Sequence, residues 1–302
     1  GTMPTGSISI AYFFQMLKIA DFLKADCKVK ILIADLHAAL DSVPWERLDK
    51  RYDYYKEAIV TILKIIDVPI NKLEFVRGRD LQLNKDYFND ILKLSTFSSL
   101  NNTKRAASEG VKSAIGSDAK LSGMIYPLMQ ALDEEYLKVD AQFAGVDQRK
   151  IMVYAREFLP KIGYESRIEL MSPMIRGLVG EKMSSSVEST KIDLMDDEKT
   201  VIKKINKAEC VPGDTNNGIM AILKYLIFIL KESNNTKFIV NRSDKFGGNL
   251  EYDNYEAVEK DFKNKTLHPL DLKNAVAEEI NSLLKNFRNN SKLKDLHSKA
   301  YS

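Results

Sequence analysis

Gly123 to Lys150 reads GMIYPLMQALDEEYLKVDAQFAGVDQRK, and the fold is decided here. Tyr126, Gln130 and Asp133 fall at i, i+4 and i+7, so a helix puts a phenol, an amide and a carboxylate on one face. Such a set can surround a small polar ligand and hold both its amine and its ring. Leu137 to Phe143 alternates and is expected as a strand. Gly145-Val146-Asp147-Gln148 then turns into a periodic run, Arg149 to Phe158. Strand, glycine turn and helix in succession mark the place where open α/β sheets bind ligands. The fold expected is α/β, with a doubly wound parallel sheet. A second reading stays open, in which Tyr126 is core and Gln130 and Asp133 face solvent. A second, independent piece of a site is needed to decide.

Downstream, Arg167 to Met171 is strand-like. It leads through Ser172-Pro173-Met174 and Gly177-Leu178-Val179-Gly180 into Glu181-Lys182-Met183-Ser184-Ser185-Ser186. Lys182 can neutralise a polyphosphate as charge spreads in a transition state, and the hydroxyls can donate to phosphate oxygens. This loop is the second piece.

Upstream, Val29 to Ala34 reads as a buried parallel strand. Asp35-Leu36-His37 follows at its carboxyl end, and His37 is open either to a role in catalysis or to that of a core or capping histidine. Pro4-Thr5-Gly6 is a loop before an amphipathic helix from Ile8 to about Lys24, and glycine loops beside helix starts can hold phosphate. Pro44 to Ile66 is helical, and Leu73 to Val76 is a second short strand. Arg77-Gly78-Arg79-Asp80 ends that strand as a polar or anion-facing loop. Leu83 to Leu94 is helical. Ser95 to Lys120 is rich in Ser, Asn, Ala and Lys, and reads as a mobile insertion with one or two weak helices. Its Lys104, Arg105, Lys112 and Lys120 either face phosphate or form a solvated surface. A doubly wound fold normally opens on a strand, so one is expected ahead of Gly1.

The 302 residues are enough for two domains. Forty-five basic against 42 acidic residues give a net charge of +3, so a nucleic-acid surface would have to be a local patch. Two distant cysteines, Cys27 and Cys210, and three scattered histidines provide neither a disulfide framework nor a zinc signature. No metal site and no membrane span is expected, and a reduced, cytoplasmic setting fits.

Together these motifs resemble the tyrosyl-tRNA synthetases, class I aminoacyl-tRNA synthetases, in their archaeal and eukaryotic form. KMSSS at Lys182 to Ser186 looks like the second class signature, KMSKS, with serine at the second lysine. The first signature, HIGH, corresponds to Ser9-Ile10-Ala11-Tyr12, with both histidine positions changed. The resemblance implies a catalytic role for Lys182, Ser184, Ser185, Ser9 and Tyr12. Tyr126, Gln130 and Gln148 would hold the amino group of tyrosine, and Asp133 would accept from its phenol. Ala34 and His37, in ADLHA, would lie beneath the amino acid. ATP would meet Thr5, Gly6, Ala11, Gly145, Asp147, Lys182 and Met183, and Mg2+ would arrive with it. A tyrosine on the upstream strand would complete the phenol pocket.

After about Glu198 the chain becomes polar and helical, over Glu198 to Glu209, Asn217 to Phe228, Asn254 to Asn264 and Leu270 to Arg288. Phe246 in KFGG can stack on a base or belong to a core. The resemblance makes this an anticodon-binding domain in which Phe246 stacks on the first anticodon base and Asp271 reads it. The expected organisation is a catalytic domain over 1–195 with an insertion over about 80–122, then an all-helical domain over 196–302. The implied activity is ATP-dependent ligation of tyrosine to its tRNA by a homodimer. Two rivals remain at this point. One is a tryptophanyl-tRNA synthetase, against which Asp133 favours a phenol. The other is a catalytically weak RNA-binding homologue.

Overall fold

The computed structural model describes residues 1–114, 116, 118–180 and 188–302. The amino-terminal half runs α1 (Ala11–Lys24), β1 (Val29–Ile33), α2 (Asp35–Leu40), α3 (Leu48–Ile65), β2 (Leu73–Arg77) and α4 (Gly78–Gln82). It continues with α5 (Lys85–Phe97), α6 (Leu100–Ala107), α7 (Leu121–Tyr136), β3 (Ala141–Gly145), α8 (Arg149–Phe158) and β4 (Ile168–Ser172). β1 and β2 pair in parallel, Val29 opposite Leu73, and β3 and β4 do the same, Ala141 opposite Ile168. Each pair is joined by a helical crossover, as parallel strands require. Thr2 bridges Ile33 in parallel on the edge of β1 away from β2, so the first residues run beside β1. This is a Rossmann-like parallel architecture carrying a helical insertion.

Burial explains the elements. Ile31, Leu32 and Ile33 are all buried, because helices cover both faces of the strand. α1 buries Phe13, Met16, Leu17, Ala20 and Leu23, and α3 buries Tyr54, Tyr55, Ala58, Ile59 and Ile62, each a stripe of helical period. Each fully buried aliphatic side chain contributes roughly 1.5–3 kcal/mol. Side-chain caps fix several helix starts: Asn84 accepts from Asp86 N, and Ser99 from Asn102 N.

Two expectations are corrected here. β3 begins at Ala141 and not at Leu137, because α7 runs on to Tyr136 and Lys138 ends it with φ at 52°. The insertion is also more than a solvated surface. Thr103, Ala106, Ala107, Val111 and Ala114 are buried in a second core shared with α7 and α8. It packs with small residues at close approach. A Cβ on Gly123 would meet the backbone of Ala114 at 2.5 Å.

The carboxyl-terminal part continues with α9 (Glu198–Lys207), α10 (Gly218–Ile222), a π turn over Leu223–Ile227 and α11 (Phe228–Ser233). β5 (Phe238–Val240), β6 (Leu250–Tyr252), α12 (Tyr255–Lys263), α13 (Pro269–Arg288) and α14 (Ser291–Tyr301) complete it. It is helical, as expected, with one addition. β5 and β6 form an antiparallel ribbon that presents the loop between them, with Phe238 and Val240 buried as anchors.

Candidate active site

Asp133 sits on the buried face of α7 and is 4% exposed. Gln82, at the end of α4, donates to both of its oxygens at 2.9 and 3.1 Å. Tyr87 of α5 donates to it at 2.8 Å. The same Gln82 amide reaches His37 Nδ1 at 3.1 Å, which leaves His37 Nε2 3.7 Å from Asp133 Oδ2. His37 stands edge-on to Tyr126, ring centres 4.5 Å apart. The phenol of Tyr126 reaches Met3 Sδ at 3.1 Å, tying the amino-terminal loop to α7.

Burial pushes Asp133 up to about 7, against the pull of the Gln82 and Tyr87 hydrogen bonds. Burial likewise holds His37 down at about 3, so it is neutral. Among the described residues His37 Nε2 and Gln82 Oε1 have no hydrogen-bond partner. Orphaned polar atoms at such depth are costly, and beside a carboxylate that prefers a donor they suit a ligand bearing a hydroxyl.

One turn earlier on α7, Gln130 donates to Gln148 at 3.4 Å, so the two side chains meet. Gln148 follows Gly145 and Asp147 at the carboxyl end of β3, and any side chain on Gly145 would strike Asp147 Oδ1 at 2.5 Å. The insertion closes over this corner. A Cβ on Gly110 would lie 2.7 Å from Gln148 Nε2, and Lys150 pairs with Glu109 at 2.8 Å.

The first signature segment lies against another face. Ser9 is buried and receives Ala11 N at 3.4 Å, which helps to start α1. The Tyr12 hydroxyl meets Thr2 Oγ1 at 2.7 Å and its ring stands edge-on to Tyr55. Ala34 donates its N–H to Thr2 O at 2.9 Å, so it seats the loop through the backbone. Thr5 and Gly6 offer their carbonyls to Arg51, Tyr55 and Tyr301. Lys182, Met183, Ser184 and Ser185 lie outside the described residues.

Arg77 and Arg79 do not face an anion from solution. Both donate to the fully buried Asp35, at 3.0 and 2.9 Å, and both also meet Asp49. Asp35 accepts Leu36 N and Arg79 N as well, locking the ends of β1 and β2. At the other end of the chain, Phe246 is 65% exposed on the ribbon loop. Asp271 is half-buried in the first turn of α13, whose cap is His268.

Gln82 and Tyr87 were not legible as site residues. They sit on two successive helices either side of a capped turn, and only the tertiary fold brings both to Asp133.

Residues 1–285 match the model of the class I tRNA synthetases for tryptophan and tyrosine. The chain is 50% identical to the cytoplasmic tyrosine–tRNA ligase of Gallus gallus, covering 100% of this chain and 57% of that protein. The corresponding ligase of Saccharomyces cerevisiae is 47% identical, over 100% of this chain and 79% of that one. A crystal structure of tyrosyl-tRNA synthetase from Archaeoglobus fulgidus, complexed with L-tyrosine, superposes with a TM-score of 0.85 at 39% identity, covering 95% of this chain and 88% of that one. The chain spans a little over half the length of the vertebrate relatives it matches.

Proposed function

We propose, for a chain that belongs to the class I tRNA synthetases and within them to the tyrosyl-tRNA synthetases of eukaryotic and archaeal type, that it activates L-tyrosine with ATP and transfers it to tyrosine tRNA. The observation that carries the amino-acid choice is the buried Asp133, fed by neutral donors only and flanked by orphaned atoms of His37 and Gln82. A substrate phenol supplies the missing donor. Phenylalanine leaves the same groups unpaired, and a buried site of this kind rejects such an analogue strongly.

Two steps follow. A carboxylate oxygen of tyrosine attacks the α-phosphorus of MgATP, forming the acyl–phosphate bond and expelling pyrophosphate. A ribose hydroxyl of the terminal tRNA nucleotide then attacks the activated carbonyl and expels AMP. The nucleophile of the first step already carries its charge, so the protein supplies position and electrostatics. Tyr126, Gln130 and Gln148 hold the amino group. Gly145 and Asp147 hold the ribose, and Thr5, Gly6, Ser9, Ala11 and Tyr12 line the phosphate side. Lys182, Met183, Ser184 and Ser185 are assigned to the phosphates through their motif. Magnesium enters as part of the substrate. Among the described residues no group of three His, Cys, Asp or Glu is placed to hold a metal.

The active form is a homodimer. In support, Leu83, Phe88, Leu92, Phe97 and Leu100, along α5 and its ends, are each more than half exposed. Exposed apolar side chains gathered along one helix and its ends suit a partner. The compartment is cytoplasmic, as the relatives are named. No helix among the described residues is long and apolar enough to cross a membrane. The anticodon is read by Phe246 and Asp271 in the carboxyl-terminal region. ATP–pyrophosphate exchange tests the activity. It should require tyrosine and ignore tryptophan and phenylalanine. Exchange supported by tryptophan alone would replace this reading.

A further inference from the structure

The loop ahead of α1 is gripped by its carbonyls. Tyr55 of α3 and Tyr301 of α14 both donate to Gly6 O, each at 2.6 Å. Arg51 reaches Pro4 O at 3.4 Å and also Thr5 O. His297 Nε2 meets Ser7 Oγ at 3.1 Å, and Lys191 donates to Ser7 O at 3.3 Å. Four consecutive residues are thus pinned from one side, chiefly by two helices from opposite ends of the chain.

Those helices are built to act together. α14 packs along α3, with Tyr54 edge-on to both His297 and Tyr301 at 5.2 and 5.6 Å. The Arg51 guanidinium lies 5.0 Å over the Tyr301 ring. Lys292 closes the far end on Glu57 at 2.6 Å. Ile8 is buried and its N–H is turned to the Tyr54 hydroxyl, whereas among the described residues the N–H groups of Gly6 and Ser7 have no backbone acceptor. With the carbonyls held, these two amides are available to an anion. A hydrogen bond that fixes a loop before binding spares the nucleotide that ordering cost.

We propose that α14 is a latch on the nucleotide loop, with Tyr301 and His297 as positioning residues that hold Pro4 to Ser7 ready for the ATP phosphates. The last helix of the chain, in the region expected to serve the anticodon, then also serves the nucleotide. This rests on the synthetase reading for the identity of the ligand but not for the grip itself.

Tyr301→Phe removes one hydroxyl and keeps the ring contacts. Lys292→Met is the control, since it removes only a largely exposed ion pair at the far end of α14 and does not touch the loop. Two readouts are needed: hydrogen exchange of the peptide spanning residues 4–9 without ligand, and KM for ATP and for tyrosine in pyrophosphate exchange. Tyr301→Phe should speed exchange in the loop and raise KM for ATP about fivefold, as loss of one hydrogen bond does, with KM for tyrosine unchanged. Lys292→Met should change neither. Equal effects of the two variants, an unchanged loop, or a faster loop with unaltered KM for ATP would each overturn the latch. If the wild-type protein shows no tyrosine-dependent exchange, the synthetase reading fails instead. ATP binding followed by calorimetry then replaces KM and decides the latch on the same terms.

Discussion

Two buried aspartates show what separates a structural carboxylate from one that waits for a ligand. Asp90 on α5 and Asp133 on α7 are each 4% exposed, and each accepts from tyrosine hydroxyls. Asp90 takes Tyr136, Tyr164 and the ammonium of Lys93 at 2.8 Å. Burial pushes Asp90 up, but Lys93 and the two phenols more than offset this and hold it below its ordinary value. Asp133 takes only neutral donors, and its nearest base is a histidine held uncharged. Burial therefore wins and raises it. The fold completes one site with a cation and leaves the other wanting a donor.

The comparison breaks first on specificity. A buried site that pairs a substrate hydroxyl excludes its deoxy analogue by roughly 10⁴-fold or more, and Asp133→Ala should erase at least about 10²-fold of that preference for tyrosine over phenylalanine. Asp90→Ala should leave the preference intact and instead cost about 1–3 kcal/mol of stability, because Tyr136 and Tyr164 lose their acceptor. Exchange kinetics with both amino acids, and urea unfolding of both variants, make the test. Equal loss of discrimination in the two would remove the distinction.

A third carboxylate sharpens it. Asp271 is half-buried in the first turn of α13, and among the described residues no hydrogen bond or ion pair holds it. His268 already caps that helix through Leu270 N, so Asp271 is not needed there. A carboxylate is repelled by RNA phosphate unless it reads a base, where one hydrogen-bonded pair is worth roughly 1–3 kcal/mol. Asp271→Ala should lower aminoacylation by about 10- to 100-fold, a spread equivalent to that energy. It should weaken discrimination at the first anticodon base and leave pyrophosphate exchange unchanged. Aminoacylation with native and substituted tRNA, beside exchange on the same preparation, reads both. A parallel fall in exchange would make Asp271 structural.

How far the sequence carried these assignments depended on range. Tyr126, Gln130 and Asp133 share one helical face by spacing alone, and Gly145 to Gln148 sit at a strand end by local pattern. Those residues were legible. Gln82, Tyr87 and the orphaned edge of His37 were not, because their roles arise between elements distant in sequence. Arg77 and Arg79 read as polar or anion-facing, with no way to choose, because Asp35, their partner, is some forty residues away and buried. The insertion looked loose because alanine and glycine pack closely without adding hydrophobic bulk to the pattern. The β5–β6 ribbon is three residues to a strand, too short for periodicity to show.

Acidity gives the smallest and most direct test of the two aspartates. Asp133 in the folded protein lies near 7, above its ordinary 3.8. Its contribution to stability is therefore full below that ordinary value and is lost as pH rises towards 7. Asp90 is lowered, so its contribution is present above 3.8 and lost as pH falls below it. His37, lowered to about 3, is also stabilising when neutral, and its share is lost as pH falls below 6.5. Between pH 6.5 and 4 the Asp133 and His37 slopes thus oppose one another, while Asp90 contributes none. Asp133→Asn should expose the His37 slope, so stability falls more steeply on acidification than in the wild type. Asp90→Asn should follow the wild type down to about pH 4, near the ordinary carboxylate range. The same titration governs binding, since an ionised Asp133 is the better acceptor for a phenol. KM for tyrosine should fall severalfold from about pH 6 to 8 as the carboxylate fraction rises, and Asp90→Asn should keep that dependence. Urea unfolding across this range, with tyrosine KM on the same variants, reads both effects. An Asp133→Asn protein with the wild-type slope would mean that Asp133 is ionised throughout and that its depth, rather than its want of a donor, is all that sets it apart from Asp90.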